Sequence, residues 1–309
     1  MNSKLRIAVV GIGGVGGYYG GKLAQRYADS EDTEIIFIAR GKHKEEIQTN
    51  GLTINVGSSK FTVKPDLVTD DVAGLGKLDI IVFCVKSYSL DKIAEDFRPS
   101  IDESTFLLPL QNGIESIEYL DKLYPAAKLL WGCVYIISSV GAPGVIEVKG
   151  EYNRLVWGNP ELPVKELDRI HKLFTDAGII SELYSDIVVK VWNKFSFISP
   201  VATLTSAIGK TMGEIYENAE LKENLRILMR ELLAVAHAKG VEIEASIIDT
   251  NMKILGKLPK DATSSMQRDF MNNNQTELET LIGYIVREAQ KSKVETPLFS
   301  KLYGQLKSK

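Results

Sequence analysis

The stretch Gly11-Ile12-Gly13-Gly14-Val15-Gly16 holds more chemistry in its spacing than any other part of this chain. It follows directly on an apolar run, Leu5-Arg6-Ile7-Ala8-Val9-Val10, and leads into a helical pattern through Tyr18, Tyr19, Leu23 and Ala24. A strand, a glycine turn and a helix in that order make an anion site. Gly11 lets the chain turn tightly, Gly13 lets backbone approach a pyrophosphate, and Gly16 lets the helix lie close to the strand. The helix start then directs unpaired N–H groups and a partial positive charge at the phosphates. All six residues, Ile12, Gly14 and Val15 included, are candidate cofactor contacts. The bland alternative is a tight strand–helix connection that holds no ligand.

The end of the second strand points to which dinucleotide this is. A chain that prefers NAD places an acidic residue there, to accept from the ribose hydroxyls. Here the run ends Ile38-Ala39-Arg40-Gly41-Lys42-His43. A guanidinium cannot accept from a hydroxyl, but it pairs with a 2′-phosphate in a bidentate way. Arg40, with charge added by Lys42, therefore favours NADP(H). The alternative is a solvated cation that happens to follow a strand.

The elements that must position these residues alternate through the first half. Strand patterns at Leu5–Val10, Glu34–Ala39, Asp79–Val85, Thr105–Leu108 and Leu129–Ile137 are interleaved with helical ones at 15–28, 42–50, 90–98 and 114–123. Such alternation argues for a parallel sheet with helices on both faces. Leu52–Val56 and Phe61–Lys64 read as a strand pair. Gly144–Lys149 and Arg154–Trp157, flanking Gly150, read as antiparallel edge strands, followed by a helix over 164–177. From about Asp186 only helical periodicity remains. Leu221, Leu225, Leu228, Leu232 and Val235 form one stripe, and Leu278, Leu281, Ile282, Ile285 and Ala289 another. The expected architecture is an N-terminal α/β Rossmann-like doubly wound sheet (residues 1–184) and an all-α C-terminal domain (residues 185–309), with substrate between them.

Composition excludes several function classes. The net charge of −3 gives no electrostatic footprint for nucleic acid or an anionic membrane. Met1–Lys4 leads straight into the first strand, so no signal peptide is expected. The charge-poor stretches 129–148 and 195–208 are too broken or too short to span a bilayer. The only two cysteines, Cys84 and Cys133, lie in apolar runs and read as buried free thiols of a reducing compartment, hence a cytoplasmic protein. His43, His171 and His237 are scattered without ligand spacing, so no metal site is expected.

Four further segments complete a pattern. They are Phe83-Cys84-Val85-Lys86-Ser87-Tyr88, Leu110-Gln111-Asn112-Gly113, Trp192-Asn193-Lys194-Phe195, and Ser264-Ser265-Met266 followed by Thr276-Glu277-Leu278-Glu279. With the glycine turn and Arg40-Gly41-x-His43, they resemble the ketopantoate reductase family (2-dehydropantoate 2-reductases) over essentially the whole chain. Ser265 and Glu277 carry the family's serine–glutamate spacing. The resemblance implies reduction of a 2-keto acid by hydride from NADPH, with Lys194 as catalytic lysine and Glu277 as the glutamate that positions substrate and lysine. It further implies Ser265 as the receiver of the substrate carboxylate, with Lys86 and Asn112 near nicotinamide and substrate. A lysine is suited to polarise the developing alkoxide and supply its proton. Lys190, one turn earlier, competes; periodicity does not choose between the two, and the Trp-x-Lys motif favours Lys194. Each residue also has a structural reading. Ser265 would be a helix cap, Thr276 and Glu279 a capping box, and Asn112-Gly113 a turn.

The chain also departs from the family's pattern. Members carry asparagines one and two turns after the lysine; here these positions are Ile198 and Ala202, and Pro200 is expected to kink the helix. The readings that follow are reduction of 2-dehydropantoate to pantoate on the way to pantothenate, reduction of a more apolar 2-keto acid, another dehydrogenase on the same plan, and an NADPH-binding sensor without catalysis. The partner is a small keto acid; a homodimer through an apolar face of the helical domain stays open.

Overall fold

The computed structural model describes residues 4–309, apart from the side chains of Glu151 and Tyr152. The lead-in read as carrying no targeting signal lies mostly in residues 1–3, outside the described residues. The strands are β1 (Leu5–Val10), β2 (Thr33–Ile38), β3 (Leu52–Val56), β4 (Ser59–Val63), β5 (Leu67–Thr69), β6 (Ile80–Phe83), β7 (Phe106–Pro109), β8 (Lys128–Leu129), β9 (Trp131–Ala142), β10 (Val145–Gly158) and β11 (Ile180–Leu183). The helices are α1 (Gly14–Arg26), α2 (Gly41–Asn50), α3 (Leu90–Asp96), α4 (Glu115–Leu123), α5 (Val164–Asp176), α6 (Ile187–Ile208), α7 (Met212–Glu217), α8 (Ala219–Ala238), α9 (Ser246–Leu255), α10 (Ser265–Met271), α11 (Tyr284–Ser292) and α12 (Pro297–Lys307). A π-helical turn, Glu279–Gly283, leads into α11.

The chain divides into two compact units. One takes in the chain up to Gln111 together with Ser116–Ile187; the other is Asn112–Glu115 with Val188–Lys309. The first is built on a six-stranded, all-parallel sheet ordered β5-β2-β1-β6-β7-β8. Numbered within the sheet, that is the 3-2-1-4-5-6 order of a doubly wound dinucleotide fold, with the topological switch beside β1. Its strands are Ile- and Val-rich because both faces are covered: Ile7, Ile35, Ile36 and Ile81 are fully buried.

A second, five-stranded sheet packs over α1, ordered β11-β10-β3-β4 with β9 on β10. The glycines of α1 are what allow a helix to fit between two sheets. A Cβ on Gly20 would lie 3.0 Å from the Phe37 ring and one on Gly16 2.9 Å from Cys84 Cβ; on Gly17 it would lie 2.5 Å from Ile146, and on Gly21 2.7 Å from Ile54. Two expectations change here. The stretch read as two antiparallel edge strands around Gly150 is the single strand β10, flanked by β9 on one side and by β3 and β11 on the other. Gly150, at φ +77, sits in a register shift between Lys149 and Arg154, so the residue read as a turn is absorbed into a bulge. The three-residue β5 and the four-residue β11 were too short to register as patterns.

The second unit is helical throughout. α6 is buried on nearly every side, with Ser196, Ser199, Thr203 and Thr205 all at zero exposure. Three of their hydroxyls are satisfied within the helix: Ser196 donates to the Asn193 carbonyl, Thr203 to that of Ser199 and Thr205 to that of Val201, each at 2.7 Å. The helix runs through Pro200 without ending there. Both leucine-rich stripes face inward, as periodicity required. Among the described residues, no helix is long and apolar enough to cross a membrane.

Candidate active site

In the first unit, β1 ends at Val10 and the chain turns through Gly11 at φ +92, a conformation that side chains resist. A Cβ there would also lie 2.7 Å from Val85 Cγ1. Gly16 is closed in by its own turn, because a Cβ on it would fall 2.1 Å from the Gly11 carbonyl oxygen. Gly13 is the opposite case: a Cβ there would meet no atom within 4 Å. α1 starts at Gly13 without a side-chain cap, which leaves its first-turn N–H groups to some other acceptor. The turn around Ile12, Gly14 and Val15 is thus a cradle that fits a pyrophosphate. Ser138 of β9 borders it, with its oxygens 2.7 Å from where a Gly14 Cβ would sit.

Arg40 is exposed at the N-cap of α2. Nearby, Asp70 has its carboxyl held below the usual range, chiefly by the hydrogen bond from Lys44 and to a lesser degree by the charge of Arg40. Lys86 is exposed just beyond β6, on the carboxyl side of the sheet where open α/β folds bind ligands. Gln111 follows β7 and donates to the Val85 carbonyl at 3.1 Å, which ties two strand ends together. A cavity of about 190 Å³ lies at the other end of this sheet, lined by Leu5, Asp79, Phe106 and Arg169. It is remote from the glycine turn, and the chemistry does not belong to it.

In the second unit, α6 carries Lys194 beside the buried Trp192 and Phe195 in sequence, and its Nζ donates to Asn112 Oδ1 at 3.1 Å. Asn112 belongs to the short segment that crosses over from the first half of the chain. Gly113, at φ +99, continues it against Phe195 and the Thr280 carbonyl, where a Cβ would sit 3.4 and 3.3 Å away. Lys190 is also half-buried, but it is Lys194 that holds Asn112. Glu277 is buried at 6% exposure immediately before the π turn, and its main-chain carbonyl accepts from Leu281 N at 3.0 Å. π turns recur at functional sites because the widened spiral re-aims backbone groups. Here the Leu281 carbonyl is taken up by Ser199 of α6 at 2.7 Å.

Two structural readings are corrected. Ser264, not Ser265, caps α10, accepting from Gln267 N at 3.1 Å. Ser265 is the exposed first residue of that helix. Ser264 also meets Thr205 of α6 at 2.8 Å, about 16 Å along the helix from Lys194 at 1.5 Å per residue. The capping box expected of Thr276 and Glu279 is absent. The element starts at Leu278 without a side-chain cap, and the Glu279 carboxylate reaches forward to Arg287 and Tyr303 instead. The structure thus joins Asn112 and Lys194 directly and leaves Ser265 exposed at the start of α10, next to the Ser264 that meets α6. Among the described residues, no group of three or more histidine, cysteine or acidic side chains could hold a metal.

Residues 7–161 match the family described as Ketopantoate reductase PanE/ApbA, and residues 186–309 match its C-terminal region. The chain belongs to the ketopantoate reductase family. It is an oxidoreductase of that family, and its two-part architecture is the family's own. It is 28% identical to a 2-dehydropantoate 2-reductase of Pyrococcus abyssi over 99% of this chain and 98% of that one. An uncharacterised oxidoreductase of Bacillus subtilis is 26% identical over 98% of both chains. Among solved structures, a 2-dehydropantoate 2-reductase from Porphyromonas gingivalis shares 32% identity and a TM-score of 0.86, covering 98% of this chain and 99% of that one. Ser138 had no part in the sequence reading of the site, and Gln111 entered it only as a motif residue without a role. Ser138 reaches the glycine turn only through β9, more than a hundred residues on, and nothing local in the sequence signals such a neighbour.

Proposed function

We propose that this chain reduces a 2-keto acid to a 2-hydroxy acid with NADPH, the leading substrate being 2-dehydropantoate (ketopantoate) and the product pantoate, a cytoplasmic step toward pantothenate. The observation that carries this reading is the 3.1 Å bond from Lys194 Nζ to Asn112 Oδ1. An ammonium has three donors and no acceptor. Asn112 takes one and so fixes the direction of the others. In this reading the ammonium so held faces the substrate's carbonyl oxygen, where Lys194 stabilises the developing negative charge and delivers the proton.

When bound, NADPH supplies the hydride. In this reading residues 1–184 bind the cofactor: Gly11–Gly16 hold its pyrophosphate, Arg40 pairs with its 2′-phosphate, and Lys86 and Asn112 lie toward its reactive end. Residues 185–309 act on the substrate. Glu277, a buried carboxylate, orients substrate and lysine. Ser265 receives the substrate carboxylate with a hydroxyl relieved of capping by Ser264.

One observation supports a second reading, a more apolar 2-keto acid. Ile198 and Ala202 follow Lys194 by one and two turns, and neither can hydrogen-bond a substrate hydroxyl. A site built to bind such a hydroxyl discriminates by roughly 10⁴-fold or more, so its loss relaxes substrate choice. Following NADPH absorbance with ketopantoate beside a panel of branched 2-keto acids tests both, with NADH run in parallel. Fastest turnover of ketopantoate, with NADPH preferred, supports the leading reading. Equal or higher kcat/KM for a branched acid without the hydroxyl moves the assignment to the second. Equal use of NADH removes the role of Arg40, and no oxidation with any acid leaves only a cofactor-binding sensor.

A further inference from the structure

Asn112 is useful to Lys194 only if something fixes where it sits. It lies in a short connection between β7 and α4, next to Gly113 at φ +99, and the segment has no sheet partner of its own. Gln111 anchors the start of this segment to Val85, and Arg287, on α11, ties its far end to the helical unit. Arg287 Nη2 donates to Glu115 Oε1 at 2.6 Å, three residues beyond Asn112. The same guanidinium donates through Nη1 to Glu279 Oε2 at 2.8 Å and through Nη2 to the Glu279 main-chain carbonyl at 3.2 Å. Glu279 opens the π turn, two residues beyond Glu277. Tyr303 of α12 donates to the same carboxylate at 2.7 Å and holds it from the other side.

We propose that Arg287 is a positioning residue for the reduction, setting the spacing between the segment that carries Asn112 and the turn that carries Glu277. The inference rests on the roles proposed above for Lys194 and Asn112. Three features support it. Arg287 is the hub: both carboxylates and one backbone carbonyl converge on a single planar fork, a geometry a lysine cannot reproduce. The bonds are partly shielded, with the Arg287 side chain 38% and that of Glu115 34% exposed, so solvent does not fully screen them. The charges suit one another too: despite partial burial, Glu115 and Glu279 hold the Arg287 guanidinium above its ordinary pKa. Misplacing a catalytic group by about 1 Å costs on the order of 10²-fold, so a clamp outside the reacting atoms can control rate.

The experiment is a kinetic cycle on the full-length protein. Arg287→Gln should lower kcat about tenfold or more while the keto-acid KM stays within about threefold, because the interaction it supports is made in the transition state. Arg287→Lys should not restore the rate, although it restores the charge. In an Asn112→Ala background, Arg287→Gln should cost less than about twofold, since the group it positions is already gone. Glu115→Gln, which breaks only one arm, should reproduce most of the loss in a chain whose helical packing is untouched. Full rescue by lysine, an equal loss in both backgrounds, or wild-type kcat in both Arg287→Gln and Glu115→Gln would overturn the inference. Were Asn112→Ala itself to turn over like wild type, the proposed roles of Asn112 and Lys194 would fail first, and this inference with them.

Discussion

The His43 ring sits where protonation is unwelcome. The Gly144 N–H donates to its Nδ1 at 3.0 Å, which assigns the ring proton to Nε2. Burial lowers its pKa, and the smaller opposing pull of the Ile12 carbonyl does not offset this. A second proton would set Nδ1–H against the Gly144 N–H and undo the link between α2, the β9–β10 turn and the glycine loop. The sign follows directly. The folded state binds this proton less readily than the unfolded chain, so His43 contributes stability above about pH 6.5 that is lost as pH falls further. The melting temperature should therefore drop on going from about pH 7 to about pH 5, and His43→Asn, which keeps an acceptor for Gly144, should flatten that drop. An unchanged acid limb in the variant would count against this account. In the sequence His43 entered only as the end of the Arg40-Gly41-x-His43 motif and as a histidine without ligand spacing. Its partner, Gly144, is 101 residues away, and no local pattern reveals such a pairing.

At the scale of elements, α1 shows how glycines divide the work. Gly16 is there for packing: with the Gly11 carbonyl 2.1 Å from a would-be Cβ, Gly16→Ala should cost about 1–3 kcal/mol and lower the melting temperature. Gly13 has open space, so Gly13→Ala should leave the melting temperature within about a degree or two yet weaken NADPH binding, the methyl projecting into the cradle. Fluorescence titration with NADPH beside a thermal melt separates the two. Loss of stability in Gly13→Ala, or none in Gly16→Ala, would reverse the assignment. The strand–turn–helix was legible in the sequence because its glycine spacing is local. β10 was not, because a glycine inside a bulge carries the same signal as one in a turn. The π turn was also hidden. Thr276 and Glu279 have the types of a capping box, but Arg287 and Tyr303, brought in by α11 and α12, compete for the carboxylate and take it.

Across the whole molecule, alternation of buried strands with amphipathic helices was enough to give the parallel sheet, because both faces of such a sheet must be covered, but not the departure of Trp131–Ala142 into the second sheet. The change to purely helical periodicity near Asp186 gave the second unit. What periodicity could not give was the return of Asn112–Glu115 to that unit, since four residues have no period. That crossing brings an amide oxygen from the first half of the chain onto the Lys194 ammonium of α6, the contact on which the proposed chemistry rests. Removing that ammonium tests the account most directly. Lys194→Ala should still bind NADPH and fold, while kcat for its best 2-keto acid falls by about 10²–10⁴, the usual worth of a positioned proton donor. Turnover within about twofold of wild type in a folded, cofactor-binding Lys194→Ala protein would contradict it.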